Sequence, residues 1–320
     1  MAKKPMAAAG GDIRVGTFNV ENLFARYRFR SNFDPTAEDG FTINNLAFDI
    51  YDETDKQITA LAIKKANADV LCLQEVESLP VLDRFNSRYL AGEGYVHRVL
   101  VDGNDPRHID VAVLSRYPIA NVRSHRHERD ANDSAALFSR DCLEVDIDAG
   151  GRLLVLYVNH FKSMMGGRKE TRPRRIEQVN RVKQIVEARW KPGFDGNFVV
   201  LGDFNDYIDG ASDAVSSVRS LVEHGKLVNV LRHLDKNEQW THYFAGGKKN
   251  EKTKQLDYLM VGKGLFQRAG SPRPEVVRDG LPFRAVDYVG PRFPGVGDDN
   301  PKASDHCPLT LAIPFSALTQ

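Results

Sequence analysis

The sequence is poor in cysteine and carries almost no net charge, and both shortages are informative. Its three cysteines, Cys72, Cys142 and Cys307, are far apart and lie in or beside apolar runs, so they predict buried reduced thiols and not a disulfide framework. No C-x-x-C pair or Cys/His cluster indicates a zinc site. The formal net charge is only +1 over 320 residues, so affinity for a polyanion must come from local basic patches.

Long apolar runs and linkers are also lacking. No stretch approaches the ~18 apolar residues that span a bilayer, and the first dozen residues have no apolar signal-peptide core. These absences predict a cytoplasmic protein without a membrane span. Because no Gly/Ser linker or repeat divides the chain, we expect residues 1–11 to be a flexible N-terminal segment and 12–316 to form a single domain. No obligate protein partner is indicated.

Short apolar runs of β type recur along the whole chain. Many are continuous, which is typical of central strands covered on both faces. The runs are 13–20, 69–76, 109–115, 142–147, 153–161, 197–204, 256–261 and 308–313. Between them, apolar residues at helical spacing predict helices over 56–67, 171–190 and 213–224, the last capped by Ser212 or Asp213 and ended by Gly225. This interspersion predicts an α/β fold with mixed sheets.

Two segments without clear periodicity, 27–55 and 270–304, are predicted to be long loops. Loops of this length in a compact domain are usually functional or disordered. The aromatic residues of the first segment could stack on nucleic-acid bases or pin the loop to the body; they are Tyr27, Phe29, Phe33 and Phe41.

Polar residues that can bind metals stand at the ends of six apolar runs. They are Asn19 and Glu21; Glu75; Asn159, His160 and Lys162; Asp203, Asn205 and Asp206; Asp257; and Asp305 with His306. A single Asp at a strand end is usually a turn former. Six such ends meeting at one rim indicate a metal–carboxylate site, because a buried carboxylate is unfavourable unless it is paired or bound to a cation.

The residue types indicate which metal and which reaction the site would serve. Oxygen ligands without cysteine favour Mg²⁺, with Mn²⁺ as a substitute, over zinc or copper. Hydrolysis at phosphorus needs charge neutralisation, an oriented water and a base within hydrogen-bond reach. Asp305 and His306 offer a ligand and a base side by side, and Asp257 could hold that imidazole in one tautomer.

The segments TFNVEN, LQEV, NHFKS, GDFND, QLDYL and SDH, in this order, resemble the endonuclease/exonuclease/phosphatase superfamily. The resemblance covers residues 13 to 313 and implies a four-layered α/β sandwich, with two packed mixed β-sheets flanked by helices and a site at one rim. It also implies that Glu75 is the principal Mg²⁺ ligand, with Asn19 beside it and Glu21 and Asp305 near the metal.

The same resemblance implies the roles of five catalytic residues. Asp203 would orient or deprotonate the attacking water, and Asn205 would hold the phosphate. His306 would be the general base or a phosphate-stabilising acid, oriented by Asp257, and His160 would contact the scissile phosphate. Which of Asp203 and His306 takes the proton stays open. His242 of WTHYF is interpreted as a packed or solvent-facing histidine.

Two basic arms suggest the substrate. Residues 162–175 contain six basic side chains against one acid, and a second group comprises Lys248, Lys249, Lys252 and Lys254. The candidate substrate-binding residues are Arg140, Lys162, Arg172, Arg174 and Arg175, although Arg140 could be in a plain ion pair and Lys162 simply solvated. Since phosphate contacts dominate nonspecific affinity, the arms predict a nuclease acting on DNA, with RNA as an alternative.

Two other hypotheses stay open. A phosphatase or a sphingomyelinase-like phospholipase would use the same site on a small phosphoester or lipid headgroup, without depending on the basic arms. A non-catalytic binding protein could retain the fold.

Overall fold

Strands and helices follow the predicted apolar runs closely. The computed structural model describes residues 11–29, 46–50, 53–191, 193–208, 216–246 and 253–320. In chain order the strands are β1 Asp12–Leu23, β2 Ala25–Phe29, β3 Leu46–Ile50, β4 Val70–Val76, β5 His97–Leu100, β6 Asp110–Ser115, β7 Ile119–Ser124, β8 Cys142–Asp148, β9 Leu153–His160, β10 Phe198–Asp203, β11 Leu227–Asn229, β12 His242–Tyr243, β13 Thr253–Lys254, β14 Asp257–Gly262, β15 Glu275–Val276 and β16 Leu309–Pro314. The helices are α1 Glu53–Ala66, α2 Leu79–Tyr89, α3 Arg168–Trp190, α4 Arg219–Val222 and α5 Lys263–Arg268.

Two six-stranded sheets form the centre of the molecule. Sheet I has the order β15-β16-β1-β4-β6-β5, and sheet II has the order β11-β14-β10-β9-β8-β7. Each sheet contains one parallel pair, β1 with β4 and β9 with β10, and its other pairs are antiparallel. The predicted mixed sheets are therefore confirmed.

The sheets pack face to face through fully buried aliphatic side chains such as Val15, Cys72, Leu156 and Leu201. The outer face of sheet I is covered by α1 and α2, and the outer face of sheet II by α3. Each buried Val or Leu contributes about 1.5–3 kcal/mol relative to an exposed one. The four-layered α/β sandwich is confirmed.

Some local predictions differ from the structure. The ends of the predicted 27–55 loop form a two-stranded ribbon of β2 and β3, and α1 begins at Glu53. In ARYRF apolar residues alternate with arginine, and in LAFDI large apolar residues alternate with Ala and Asp, which is the period of a strand. The predicted 213–224 helix is only the short α4 in its described part. The 270–304 segment is irregular apart from β15.

Other predictions concern residues that are buried or lie outside the described ranges. Cys72, Cys142 and Cys307 are free and buried, as predicted. Residues 1–10, Ser212, Asp213, Phe33, Phe41, Lys248, Lys249 and Lys252 lie outside the described residues. Among the helices that the structure describes, none has the length and apolarity to cross a membrane.

The strand directions bring the polar run ends to one rim. Parallel β1 and β4 end at the same edge of sheet I, and β16, antiparallel to β1, begins there. In sheet II, Asp203 at the end of β10 lies opposite His160 of β9 and opposite Asp257 of β14. Gly202 permits this close approach, because a Cβ there would lie 1.9 Å from the carbonyl oxygen of Asn159.

Candidate active site

Asn19 and Glu75 form the sheet I side of the site. Asn19 donates from Nδ2 to Glu75 Oε1 (3.3 Å), and the backbone N–H of Asn22 donates to Glu75 Oε2 (3.1 Å). The Asn19 Oδ1 atom accepts the backbone N–H of Glu21 (3.0 Å). The pairing of β1 with β4 shifts register between Asn19 and Leu23, and this irregularity turns the Glu21 and Asn22 backbone toward the rim.

Asp203 is the residue that joins the two sheets at the rim. Its Oδ2 accepts Asn19 Nδ2 (3.1 Å) and Asn205 Nδ2 (2.8 Å), and its Oδ1 accepts the Asn205 backbone N–H (2.7 Å). The His160 Nε2 atom lies 3.6 Å from Asp203 Oδ2, and His306 Nε2 lies 3.9 Å from the same oxygen. Desolvation raises the pKa of Asp203 to about 7, with the His306 charge opposing that rise and the Asp257 charge adding to it.

His306 is held by a buried carboxylate. Its Nδ1 lies 2.8 Å from Asp257 Oδ2, and its backbone N–H donates to Ser304 Oγ (3.0 Å), which in turn donates to the Asn19 carbonyl (2.8 Å). Desolvation lowers the pKa of His306, but the charges of Asp257 and Asp203 outweigh it and raise that pKa well above 6.5. The imidazole is therefore cationic at neutral pH, with Nε2 directed at Asp203.

Glu21, Asp305 and His242 occupy the β16 side of the rim. Asp305 donates its backbone N–H to Glu21 Oε2 (2.8 Å), and Lys302 Nζ lies 3.0 Å from Glu21 Oε1. Desolvation and the Asp305 charge raise the pKa of Glu21 to about 7, against the opposing charge of Lys302. Asp305 Oδ2 lies 3.3 Å from His242 Nε2.

The interpretation of His242 as a packed histidine is confirmed, and the structure adds where it packs. It is buried beside His306, with ring centroids 4.4 Å apart. The local signal was weak, because WTHYF is an aromatic segment in which a histidine usually packs. Only the long-range pairing of β12 with the residues before β16 reveals its place.

Backbone strain is concentrated in these segments. Within the described ranges nine non-glycine residues have positive φ, and four of them are at the site: Glu21 (48°), Asn22 (62°), Glu75 (66°) and Asn205 (52°). A left-handed conformation costs roughly 1–2 kcal/mol for such residues. Strain of this kind persists where the surrounding structure fixes a functional geometry.

Comparison with known proteins identifies the family of the chain. A family model described as "Endonuclease/Exonuclease/phosphatase family" matches residues 14–279. The chain belongs to this family. Members of the endonuclease/exonuclease/phosphatase family are typically phosphoester hydrolases and generally depend on a divalent metal. No curated protein matches the sequence.

Solved structures share the family fold at low sequence identity. An endonuclease/exonuclease/phosphatase family protein from Bacteroides thetaiotaomicron is 15% identical, with 95% of this chain and 98% of that chain covered and a TM-score of 0.57. Beta toxin from Staphylococcus aureus is 16% identical (94% and 99% covered, TM-score 0.59). TDP2 from Caenorhabditis elegans is 16% identical (94% and 97% covered, TM-score 0.53). These likenesses extend over nearly the whole chain and concern the fold.

The site chemistry fits the divalent metal on which the family generally depends. Glu75 offers carboxylate oxygens, the donors that Mg²⁺ and Mn²⁺ prefer. Asn19 directs its Nδ2 at Glu75 and Asp203, and its Oδ1 accepts the Glu21 N–H. The ion pair recorded for Glu75 within the described residues is with His160 (3.9 Å). Desolvation and the Arg140 charge lower the pKa of His160 well below 6.5, so this partner is neutral. The carboxylates of the rim thus leave surplus negative charge for a cation to offset.

Arg140 and Lys162 lie beside the site. Arg140 is only 1% exposed and donates to the Phe161 carbonyl (2.5 Å), the same oxygen that accepts Asn205 Nδ2 (3.2 Å). Desolvation and the charges of Arg140 and Arg107 lower the pKa of Lys162. Arg107, which the sequence reasoning did not single out, is exposed and carries a charge that also acts on His160.

The predicted basic arm is only partly available to a substrate. Arg172 and Arg174 are half-buried on α3, and Arg174 donates to the Ala136 carbonyl. Arg175 is fully buried, so the expected substrate contact is corrected here. Its guanidinium donates to Ser217 Oγ (2.9 Å) and to other groups of the protein, 3.7 Å from Asp206 Oδ2. The sequence reasoning took it for a surface arginine because its neighbours are basic.

Arg175 is expected to stabilise the fold. We predict that Arg175→Met lowers the free energy of unfolding by about 3–5 kcal/mol, because Asp206 loses a buried cationic neighbour. The matched control is Lys169→Met, an exposed position on the same helix, where the change stays within about 0.5 kcal/mol. Urea unfolding followed by circular dichroism measures both. Equal stability of the two variants would contradict this role.

Proposed function

We propose that this protein is a Mg²⁺-dependent nuclease that hydrolyses DNA, with RNA as the alternative substrate, by in-line attack of water on phosphorus. The observation that supports hydrolysis best is the position of Asp203 between two histidines with opposite pKa shifts. His306 is cationic and His160 is neutral, 3.9 and 3.6 Å from the same carboxylate oxygen. Titratable neighbours whose pKa values are pushed apart are typical of acid–base sites.

In this proposal each residue has a distinct role. Asp203, whose pKa is about 7, accepts the proton of the attacking water, and Asn205 orients the carboxylate and the phosphate. His306, locked by Asp257, places positive charge at a phosphoryl oxygen or protonates the leaving oxygen. His160 donates a neutral hydrogen bond to the scissile phosphate.

The metal would be held by the oxygen donors of the rim. Asn19 and Glu75 would bind it, with Glu21 and Asp305 near it. When bound, a divalent cation neutralises charge on the phosphoryl oxygens. Backbone N–H groups hold Asn19 Oδ1 and Glu75 Oε2 in place.

A long polyanionic substrate is supported by the positive charges beside His160. Arg107, Arg140 and Lys162 lie close enough together to shift the pKa of Lys162 downward. Phosphates on either side of the scissile one would meet Arg107 and Lys162, and Lys169 and Arg172 on α3 would extend the contact. Arg140 is nearly as buried as Arg175 and lies 3.3 Å from Asp105, so it would act only through its charge. The phosphatase or phospholipase alternative is favoured by one observation, the burial of Arg175, which shortens the basic arm.

Hydrolysis assays separate the two substrate classes. We expect the wild type to cleave plasmid DNA with Mg²⁺ and not with a chelator. The double variant Lys169→Glu/Arg172→Glu should cleave plasmid DNA much more slowly. Each lost phosphate contact lowers the salt slope of DNA binding by about 0.9. A small phosphodiester should be hydrolysed equally by wild type and variant, since it reaches only the rim.

The matched control carries the same charge change at the other part of α3. Lys183→Glu/Lys191→Glu alters net charge equally, away from the predicted arm. If both double variants lose DNA cleavage equally, the effect is general electrostatics and the arm has no role. If DNA is not cleaved while phospholipid or a small phosphoester is, the nuclease proposal fails and the alternative stands.

A further inference from the structure

A second group of potential metal ligands lies next to the proposed oxygen site. His242, Asp305 and His306 each offer one ligand atom, and these atoms lie within 4.8 Å of one another. His242 Nε2 is 3.3 Å from Asp305 Oδ2, and His306 Nε2 is 3.8 Å from Asp305 Oδ1. Ligands of one zinc ion stand roughly 3–3.5 Å apart when metal–ligand distances are about 2.0–2.1 Å. The group therefore needs only a small contraction to hold an ion.

The backbone fixes these three side chains together. β12 forms an isolated antiparallel bridge between His242 and His306. The Tyr243 N–H donates to the Asp305 carbonyl (3.0 Å), and the Cys307 N–H donates to the Thr241 carbonyl (2.8 Å). The two histidine rings stand edge to face at 67°. Such a preformed arrangement lowers the ordering entropy that binding would otherwise require.

The surroundings of both histidines suit a metal ligand. Asp257 holds His306 Nδ1 at 2.8 Å, leaving Nε2 toward the group, which is the carboxylate–histidine–metal arrangement of many metal sites. His242 is buried, and its Nε2 lies 3.3 Å from Asp305 Oδ2, so the imidazole faces the group. Its Nδ1 is buried with no hydrogen-bond partner in the described part of the chain.

We propose that His242, Asp305 and His306 form a binding site for a transition-metal cation such as Zn²⁺, separate from the oxygen ligands Asn19 and Glu75, and that its occupation inhibits hydrolysis. Two imidazoles and one carboxylate favour Zn²⁺ over Mg²⁺. A cation bound there would occupy His306 Nε2, the atom that lies 3.9 Å from Asp203 Oδ2, and any proton on that nitrogen would pass to solvent. The nitrogen would then be unavailable to the phosphate. The inhibitory part rests on the proposed function; the binding part does not.

The sequence does not predict this site, because His242 is distant from Asp305 and His306 along the chain and the three residues form no Cys/His spacing motif. Asp203, Asp257 and His306 form a second group of potential metal ligands, which shares His306 with the proposed site. The two groups cannot both bind a cation through His306 Nε2, so they are alternatives. Substitution of His242 distinguishes the two, since His242 belongs only to the proposed site.

Direct metal binding tests the proposal. Metal-free protein in excess Mg²⁺ is titrated with ZnCl₂ by calorimetry, and separately with Co²⁺, whose visible d–d bands report nitrogen ligation. His242→Phe keeps a ring in the buried position, and His242→Asn is a second variant should the first fail to fold. We expect both to weaken Zn²⁺ affinity by at least about tenfold and to alter the Co²⁺ bands. His97→Phe, a half-buried histidine on β5, is the control and binds as wild type.

The zinc concentration that halves hydrolysis should rise by the same factor in the His242 variants. Wild-type Zn²⁺ affinity in both His242 variants would overturn the proposed site. Binding that depends on His242 without any inhibition would overturn the inhibitory role. If no phosphoester is hydrolysed yet Zn²⁺ binding depends on His242, the proposed function fails while the metal site stands.

Discussion

Asp203→Asn is expected to reduce kcat for phosphodiester hydrolysis by about 10²–10⁴-fold while making the metal-free protein more stable above neutral pH. The catalytic loss follows because the amide cannot accept the proton of the attacking water. An amide keeps only one of the two accepting oxygens, so the substitution retains either the hydrogen bond from Asn19 or that from the Asn205 backbone. Circular dichroism shows whether the fold is kept, which separates loss of the base from loss of structure.

The stability gain follows from the raised pKa of Asp203. Its folded value of about 7 exceeds the ordinary 3.8 of an aspartate, so the folded protein holds this proton more tightly than the unfolded chain does. The stability associated with it is fully present below pH 3.8 and is lost as pH rises through about 7. An asparagine has no proton to lose. The decline of the wild type from this group lies between about pH 4 and 7, so metal-free Asp203→Asn should lose less Tm than wild type over that range. Glu21, whose pKa is also about 7, titrates in both proteins.

Asp206, close by on the same loop, is the matched control. It is equally buried, but its carboxylate is paired with Arg168 (2.7 Å) and neighbours Arg175 (3.7 Å). Asp206→Asn should lower stability, because the partners lose their counter-charge, and should affect kcat less. Thermal unfolding in chelator over this pH range, with steady-state kinetics in Mg²⁺, measures both. If kcat of Asp203→Asn is within tenfold of the wild-type value, Asp203 is not the base that accepts the proton of the attacking water.

The parts of the fold that the sequence predicts are those with local signals. Runs such as VVLGD are continuous and apolar because both faces of β10 are covered, and the polar residue that ends each run marks the rim. Strand direction, not spacing, decides whether such ends meet. The parallel and antiparallel pairs of the two sheets place Asn19, Asp203 and Asp257 at one edge.

The features that the sequence does not predict depend on contacts between distant segments. The position of His242 at the rim follows from its bridge to His306. The structural role of Arg175 follows from its burial near Asp206. A run of basic residues on a helix looks the same whether its members face solvent or the core. Period-two alternation in β2 and β3 is a local signal for strands. It did not lead to a strand prediction, because the surrounding residues suggested a loop.

His306→Gln is expected to lower kcat by about 10²–10⁴-fold, comparable to the loss at Asp203. Glutamine can still place a hydrogen-bond donor near the phosphate, but it carries neither the positive charge nor the transferable proton of the imidazole. The charge exists because Asp257 and Asp203 overcome desolvation and raise the pKa of His306 well above 6.5. Asp257→Asn should therefore also lower kcat, because it allows the His306 imidazole to become neutral.

Two measurements determine how His306 acts. The double variant His306→Gln/Asp257→Asn should be no slower than His306→Gln alone, because Asp257 acts through the imidazole. A p-nitrophenyl phosphodiester, whose leaving group needs no proton, should recover most of the His306→Gln loss if His306 protonates the leaving oxygen. An equal loss on both substrates assigns the imidazole to charge stabilisation at the phosphoryl oxygen. Additive losses in the double variant would contradict the Asp257–His306 pair as a unit, and near-normal turnover of His306→Gln would exclude His306 from the reaction altogether.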